Sequence, residues 1–450
     1  MPAPRRRSFL VITFCICMIL LGIGLRSFQY DRVPAHNWSA DEYAFTWSGM
    51  SLIREGTPTA WSWLPVQNTR FKKETVQWKG NSYPLITPWL DHPPLFSLIP
   101  GLAALVGGSR TFFDVELSVI RIPMLVLGTL TLLLLFTLCT KLFDRRTAII
   151  ASLLYATSPA VVFLSRLAVA ENLIVLLMLS MILCYAAYNE KKRQRYFIAA
   201  ILCAGFASLA KITGISLIFA LSALCLLQKN NRGALIAFAG GMALFGLYFV
   251  YGSLFGLSLL WDALLSQADR MKEYFLFKQL IGGDGVPFLD LLPLLGWLLF
   301  IPASLSKKPQ KMLIIVPLVC YVLTIQLMGA QSHFYGWYHI PVFPLLAIII
   351  GMAFAERTFW QQGIHSLFLV LLLFGWSMHM LLKPGILASQ PPSMIAVFLI
   401  GTFVVFLLWL FSSTGQSRRM RMLTQSTYGV LFASYLVTNI ILTLRLEALT

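Results

Sequence analysis

Two adjacent carboxylates, Asp41 and Glu42, stand just past the first apolar run of this 450-residue chain. A carboxylate can take the proton of an attacking hydroxyl, and a second one beside it can raise its pKa or help hold a cation. The same pair would also suit the start of a helix over 42–53, since acids are favoured at a helix N-terminus without doing any chemistry. Asp91-His92-Pro93-Pro94 is a second candidate. A surface histidine binds phosphate when protonated or a metal when neutral, and Asp91 could orient it. Prolines in a first turn, where no backbone donor is lost, give the plainer reading of a helix start. Arg121, Arg166, Glu171 and Lys211 stand at the ends of apolar runs. Charges there cost several kcal/mol unless they snorkel, pair or serve a site. In the layout below, all four fall at one outer level near Asp41. A last patch, from His333 to His339 with Tyr338 inside it, precedes Pro341. Its histidines suit contact with a phosphate or head group, and its Trp and Tyr suit an interfacial aromatic belt. No P-loop, nucleophile elbow or HExxH motif occurs, and Gly282-Gly283-Asp284-Gly285 is a turn signal.

The elements that must position these groups follow from composition. Hydrophobic residues make up 58% of the chain, charged residues 12%, and the mean hydropathy is +0.76, which defines an all-α polytopic membrane protein of a single domain, 1–450. All seven cysteines lie in apolar runs, without the spacing of a disulfide framework or a CxxC metal pair. Arg5-Arg6-Arg7 followed by an apolar run resembles a twin-arginine signal. With no small-residue cleavage site after it, an uncleaved first span with a cytoplasmic N-terminus is expected.

A span needs about twenty apolar residues, and cytoplasmic loops are rich in Lys and Arg. These rules predict about 13 transmembrane helices. The first covers 9–25. A long first outer loop, 27–116, carries the acidic motif and an interfacial or re-entrant helix over 93–107. Spans follow over 118–140, 148–164 and 173–188. The stretch 197–227 is too long for one helix and basic on both flanks, so it is expected to form two short helices turning at Lys211-Ile212-Thr213-Gly214. Later spans are expected over 234–251, 288–305, 312–328, 340–355, 366–382, 394–411 and 428–444. The cytoplasmic segments of this layout together hold 19 Lys and Arg against three acids, so the net charge of +17 is an orientation signal that requires no nucleic-acid partner. The later spans carry almost no mid-depth charge, whereas coupled transporters usually keep such groups.

The order of these features resembles the GT-C superfamily of integral membrane glycosyltransferases, in the branch of the protein O-mannosyltransferases and the lipid A aminoarabinose transferases. The matching residues are Asp41-Glu42-Tyr43-Ala44, Asp91-His92-Pro93-Pro94-Leu95, Arg121-Ile122-Pro123, the stretch Ala156 to Glu171, and Leu209-Ala210-Lys211. They fall in the first outer loop and the spans over 118–214. Over the remaining spans, 233–446, which are expected to form the lipid-facing half, the resemblance rests on helix number and the aromatic loop before Pro341.

The resemblance implies a polyprenyl-phosphate-linked sugar as donor, inverting transfer, and Asp41 as catalytic base with Glu42 beside it. Glu171 stands where the family more often has Asp. The aminoarabinose transferases commonly have Lys where this chain has His92, which leaves a different donor head group or a pH-dependent contact open. Asp91, His92, Arg121, Arg166, Lys211, His333, Tyr338 and His339 are the expected substrate-binding residues. The acceptor would be a protein, glycolipid or polysaccharide. A divalent cation is compatible with the outer carboxylates and histidines, although no ligand spacing demands one. The expected location is the plasma membrane of a bacterium or archaeon, with the site outside. A polyprenyl-lipid flippase without transferase activity is the alternative reading.

Overall fold

Arg5 to Arg7 lead into an apolar run that forms α1 (Pro4–Ser27), the expected first span. In the computed structural model, residues 4–36, 38–62, 71–269, 291–305, 309–328, 336–356 and 418–445 are described. Asp41 and Glu42 begin α2 (Asp41–Glu55), which ends at Gly56, a residue in the left-handed conformation (φ 69°) that glycine adopts without a Cβ penalty.

The first outer loop holds more than helices. A three-stranded antiparallel sheet, ordered β1-β3-β2, is built from β1 (Ala60–Trp61), β2 (Lys72–Trp78) and β3 (Asn81–Thr87). Lys79 and Gly80 join β2 to β3, both with positive φ (48° and 77°), as a two-residue hairpin turn requires. The expectation of an all-α chain is corrected here. The described residues are mostly helical, and this sheet is the exception among them.

The helix expected over 93–107 is α3 (Leu98–Val106), nine residues long and far short of a crossing. It lies against α2 where Gly49 meets Gly101. A Cβ on Gly49 would stand 1.9 Å from the Ser97 carbonyl oxygen, and one on Gly101 would stand 2.5 Å from the Gly49 carbonyl carbon. No side chain fits between these backbones. Gly49→Ala is therefore expected to destabilise the protein by at least about 1–3 kcal/mol, the usual cost of overpacking. Thermal unfolding of the purified protein in detergent checks this, and an unchanged melting point would mean that the two helices can separate freely.

Downstream come α4 (Leu117–Ile120) and α5 (Ile122–Leu142), joined at Arg121, then α6 (Arg145–Thr157) and α7 (Pro159–Ser165). The single span expected over 148–164 is in fact bent by 65° between α6 and α7. Pro159 contributes no N–H to the helix, and the Ser158 hydroxyl accepts from the Val161 amide instead. Next are α8 (Glu171–Lys191) and α9 (Gln194–Ala210), then a 3-10 turn (Ile212–Ile215) and α10 (Ser216–Leu227), so the long apolar stretch breaks at Lys211 as expected. Gly214 permits that break, since its Cβ would fall 2.0 Å from the Ala207 carbonyl oxygen.

The remaining helices are α11 (Asn231–Ser253), α12 (Leu257–Asp269), α13 (Leu291–Ser304), α14 (Pro309–Met328), α15 (Val342–Ala355) and α16 (Arg418–Leu444). Among the described residues, four helical segments, Leu117–Leu142, Glu171–Lys191, Asn231–Ser253 and Pro309–Met328, are long and apolar enough to cross a membrane, and the bent pair would make a fifth. The spans expected over 366–382 and 394–411 lie outside the described residues. One continuous core joins α2, the sheet and the helices from α5 to α11 and from α13 to α16. A smaller one, with Phe71, Ile86, Leu90, Tyr248 and Leu260, seats the sheet region on α11 and α12.

Candidate active site

Six charged residues of this region sit at helix ends. Asp41 and Glu42 open α2, and Glu171 opens α8. Arg121 closes α4, Arg166 closes α7 and Lys211 closes α9. Except for half-buried Asp41, all are almost completely excluded from solvent.

Successive residues on a helix face different ways, so Asp41 and Glu42 enter different surroundings. Glu42 points inward. Its carboxylate accepts from Arg121 Nε at 2.9 Å and from Arg121 Nη2 at 2.7 Å, and a third bond comes from the Ala168 amide at 2.8 Å. Arg121 Nη1 donates to the carbonyls of Tyr30 and Pro34, both at 2.8 Å. This bidentate fork matches carboxylate geometry, and it ties α2, the 30–34 segment, the α4–α5 junction and the turn before α8 to one point.

Arg166 has a comparable occupation. Its guanidinium donates to the carbonyls of Leu25, Arg26, Phe28 and Val33 at 2.7–3.1 Å, and so satisfies the orphan acceptors at the end of α1. Arg26 in turn donates to Gly22, Tyr155 and Ala156, capping the end of α6. Nothing in the sequence reading singled out Arg26, although an arginine at the end of an apolar run is the signal that did flag Arg121.

Asp41 belongs to the second group. Lys211 Nζ donates to Glu171 Oε1 at 2.6 Å and lies 4.2 Å from the centre of the Tyr338 ring. Burial disfavours the Lys211 charge, while Glu171, Tyr338 and Asp41 favour it. The second oxygen of Glu171, Oε2, is buried without a hydrogen-bond partner. Tyr321 of α14 donates its hydroxyl to the Tyr338 carbonyl at 3.1 Å, which holds the 3-10 turn Gly336–His339 against this cluster. As a tyrosine inside an aliphatic run, Tyr321 was visible in the sequence, but nothing there joined it to the loop.

The other expected residues fall nearby. His92 stacks on Phe45 (5.4 Å between ring centres) and meets Trp89 edge-on. Phe45 stands one turn after Asp41, so His92 lies on the Asp41 face of α2. Asp91 is buried and accepts the Ser62 hydroxyl at 2.5 Å. His339 is buried, with Nδ1 3.3 Å from the Gly336 carbonyl oxygen of its own turn. His333 lies outside the described residues. Among the described residues no three His, Cys, Asp or Glu side chains gather as a metal site.

Residues 91–254 match the family model described as dolichyl-phosphate-mannose-protein mannosyltransferase. No curated protein sequence matches the chain. Solved structures do. ArnT from Cupriavidus metallidurans, bound to undecaprenyl phosphate, superposes with a TM-score of 0.58 over 99% of this chain and 78% of its own, at 14% identity. The arabinosyltransferase EmbB from Mycobacterium smegmatis gives 0.54 over 94% of this chain and 40% of its own, at 15% identity. The Archaeoglobus fulgidus oligosaccharyltransferase gives 0.50, covering 93% and 56%, at 12% identity.

A buried charge network at the ends of apolar helices, set under a first-loop helix, is thus carried by the fold of the integral membrane glycosyltransferases. The chain as a whole shares the fold of these proteins, and its segment 91–254 resembles the mannosyltransferase family.

Proposed function

We propose that this chain is a membrane glycosyltransferase that moves a sugar from a polyprenyl-phosphate donor to an acceptor hydroxyl at the outer face of the membrane, inverting the anomeric carbon. The observation that carries this reading is the buried Glu171–Lys211 pair against the Tyr338 ring, with Asp41 within electrostatic reach of Lys211. A base, a fixed cation and a carboxylate oxygen in want of a donor are what such a transfer uses.

Asp41 accepts the proton of the acceptor hydroxyl as that oxygen bonds to the anomeric carbon. The bond from this carbon to the phosphate oxygen breaks, and its electron pair leaves with the lipid phosphate. Lys211 supplies preorganised positive charge for the departing phosphate in a site largely shielded from water, and His92, when protonated, adds to it. Glu171 Oε2 accepts a hydroxyl of the bound sugar or acceptor. Glu42, Arg121 and Arg166 act through position, because their polar atoms are committed to the protein. That assignment revises the expectation that Arg121 and Arg166 touch substrate. Asp91 and His339 hold the loops that carry His92 and Tyr338. The acceptor is a protein, glycolipid or polysaccharide hydroxyl, and the site faces outward from a bacterial or archaeal plasma membrane.

The test is to incubate the purified protein in lipid nanodiscs with polyprenyl-phosphate donors carrying radiolabelled sugars and with membrane extract as acceptor. Label should move to an acceptor and free polyprenyl phosphate should appear. Glu171→Gln should lower kcat/KM by about 10- to 100-fold, the worth of a hydrogen bond to a charged group. Transbilayer movement of labelled lipid with no sugar transfer would replace this reading with the flippase.

A further inference from the structure

A separate groove of about 700 Å³ opens beside the clamp, lined by Asp31, Arg32, Ala35, His36, Lys79, Glu116, Leu117 and Ser118. None of these residues takes part in the chemistry proposed above. The groove lies between the segment that follows α1 and the start of α4, where Tyr30 donates its hydroxyl to the Ser118 carbonyl at 3.0 Å. It therefore stands where the first span and the α4–α5 span reach the outer surface, a level that rests on the span layout given above.

Its charges are of both signs and are arranged in place. The Lys79 ammonium rests 4.5 Å from the centre of the Trp78 ring and 5.8 Å from that of Tyr43, so aromatic faces fix it. Burial pulls the Lys79 amine below its ordinary range, and Glu116 works against that shift. Glu116 stands before α4 and accepts the Ser118 hydroxyl at 3.2 Å. Arg32 and Asp31 form a loose exposed pair at 3.7 Å. Apolar side chains also stand exposed on the two helices that lead to the groove: Ile16 and Leu20 on α1, and Ile122 and Val126 on α5. A ligand with a charged head and an apolar body fits both halves at once, which a free saccharide or a soluble peptide would not.

We propose that this groove binds the head group of a bilayer phospholipid bearing both a phosphate and a primary amine, as in phosphatidylethanolamine, with its acyl chains on the α1–α5 face. The phosphate sits among Lys79, Arg32 and His36, and the ammonium sits against Glu116 and Asp31. The bound lipid braces the 30–36 segment, whose Tyr30 and Pro34 carbonyls hold Arg121, so the clamp under Asp41 gains support from the surrounding membrane.

The experiment is native mass spectrometry of the full chain, delipidated and then offered phosphatidylethanolamine, phosphatidylcholine or phosphatidylglycerol. Phosphatidylethanolamine should be retained preferentially. Glu116→Gln should abolish the preference for the amine, and Lys79→Asn, which tolerates the left-handed backbone at this turn, should weaken retention of all three lipids. Each loss should be about fivefold, the equivalent of the ~1 kcal/mol upper worth of an exposed charge pair. Thermal unfolding of the variants in detergent reports that they are folded. Equal retention of the three lipids, equal retention by wild type and folded variants, or phosphatidylglycerol held as well as phosphatidylethanolamine would each overturn the proposal. None of these results bears on sugar transfer, which is measured separately.

Discussion

Asp41→Asn is expected to abolish sugar transfer while leaving the protein folded and able to bind polyprenyl phosphate. The substitution keeps shape and hydrogen-bonding reach but removes the lone pair that takes the hydroxyl proton, and general-base catalysis of this kind is worth about 10²–10⁴ in rate. Its structural cost should be small because Asp41 is half-buried, whereas Glu42 beside it is wholly enclosed. Since Asp41 favours the Lys211 charge from within the cluster, removing it should strengthen rather than weaken the attraction of the site for a phosphate. The expected signature is therefore a collapse in kcat with donor affinity equal to or tighter than that of the wild type. Donor turnover, lipid binding and thermal unfolding of the same preparation check it. Activity within about threefold of wild type, against the expected 10²–10⁴ loss, would remove Asp41 from the chemistry and leave Glu171 as the remaining candidate base.

How far this was legible in the sequence differs from residue to residue. The charged positions could be found because an ionisable group beside hydrocarbon is costly and demands a reason. Arg121, Arg166, Glu171 and Lys211 were all visible on that ground. Which way each one points was not. Asp41 and Glu42 are neighbours in the chain, and only the packed structure shows that Glu42 is clamped by Arg121 while Asp41 stays half-buried within electrostatic reach of Lys211. The break at Lys211 could be read because Lys, Thr and Gly interrupt an otherwise apolar stretch. The bend at Ser158 could have been, since Pro159 stands in plain view within the span. The sheet was missed for a different reason. Lys72–Trp78 is mostly polar and exposed, so it lacks the clean alternation of a half-buried strand, and the Lys79-Gly80 turn is a weaker signal than Asn-Gly.

Arg121→Met is expected to be the most destabilising single change in this region, and Glu42→Gln a milder one. Breaking a buried pair by removing one partner costs about 3–5 kcal/mol, because the other charge remains desolvated. The two losses differ in what stays behind. Without Arg121, the Glu42 carboxylate retains a single donor, the Ala168 amide. Without the Glu42 charge, Arg121 still holds the Tyr30 and Pro34 carbonyls. In the double variant neither charge is buried alone, so its loss should be smaller than the sum of the two singles, and the difference is the coupling across the clamp. Thermal unfolding in detergent measures all three proteins. The same series separates the positioning role from direct phosphate binding. If Arg121 served the donor phosphate, a folded Arg121→Met protein would melt like the wild type and lose donor affinity. If it holds α2 in place, melting falls first, and in the still-folded Glu42→Gln protein kcat falls while donor affinity stays, because Asp41 has lost the anchor that fixes its helix.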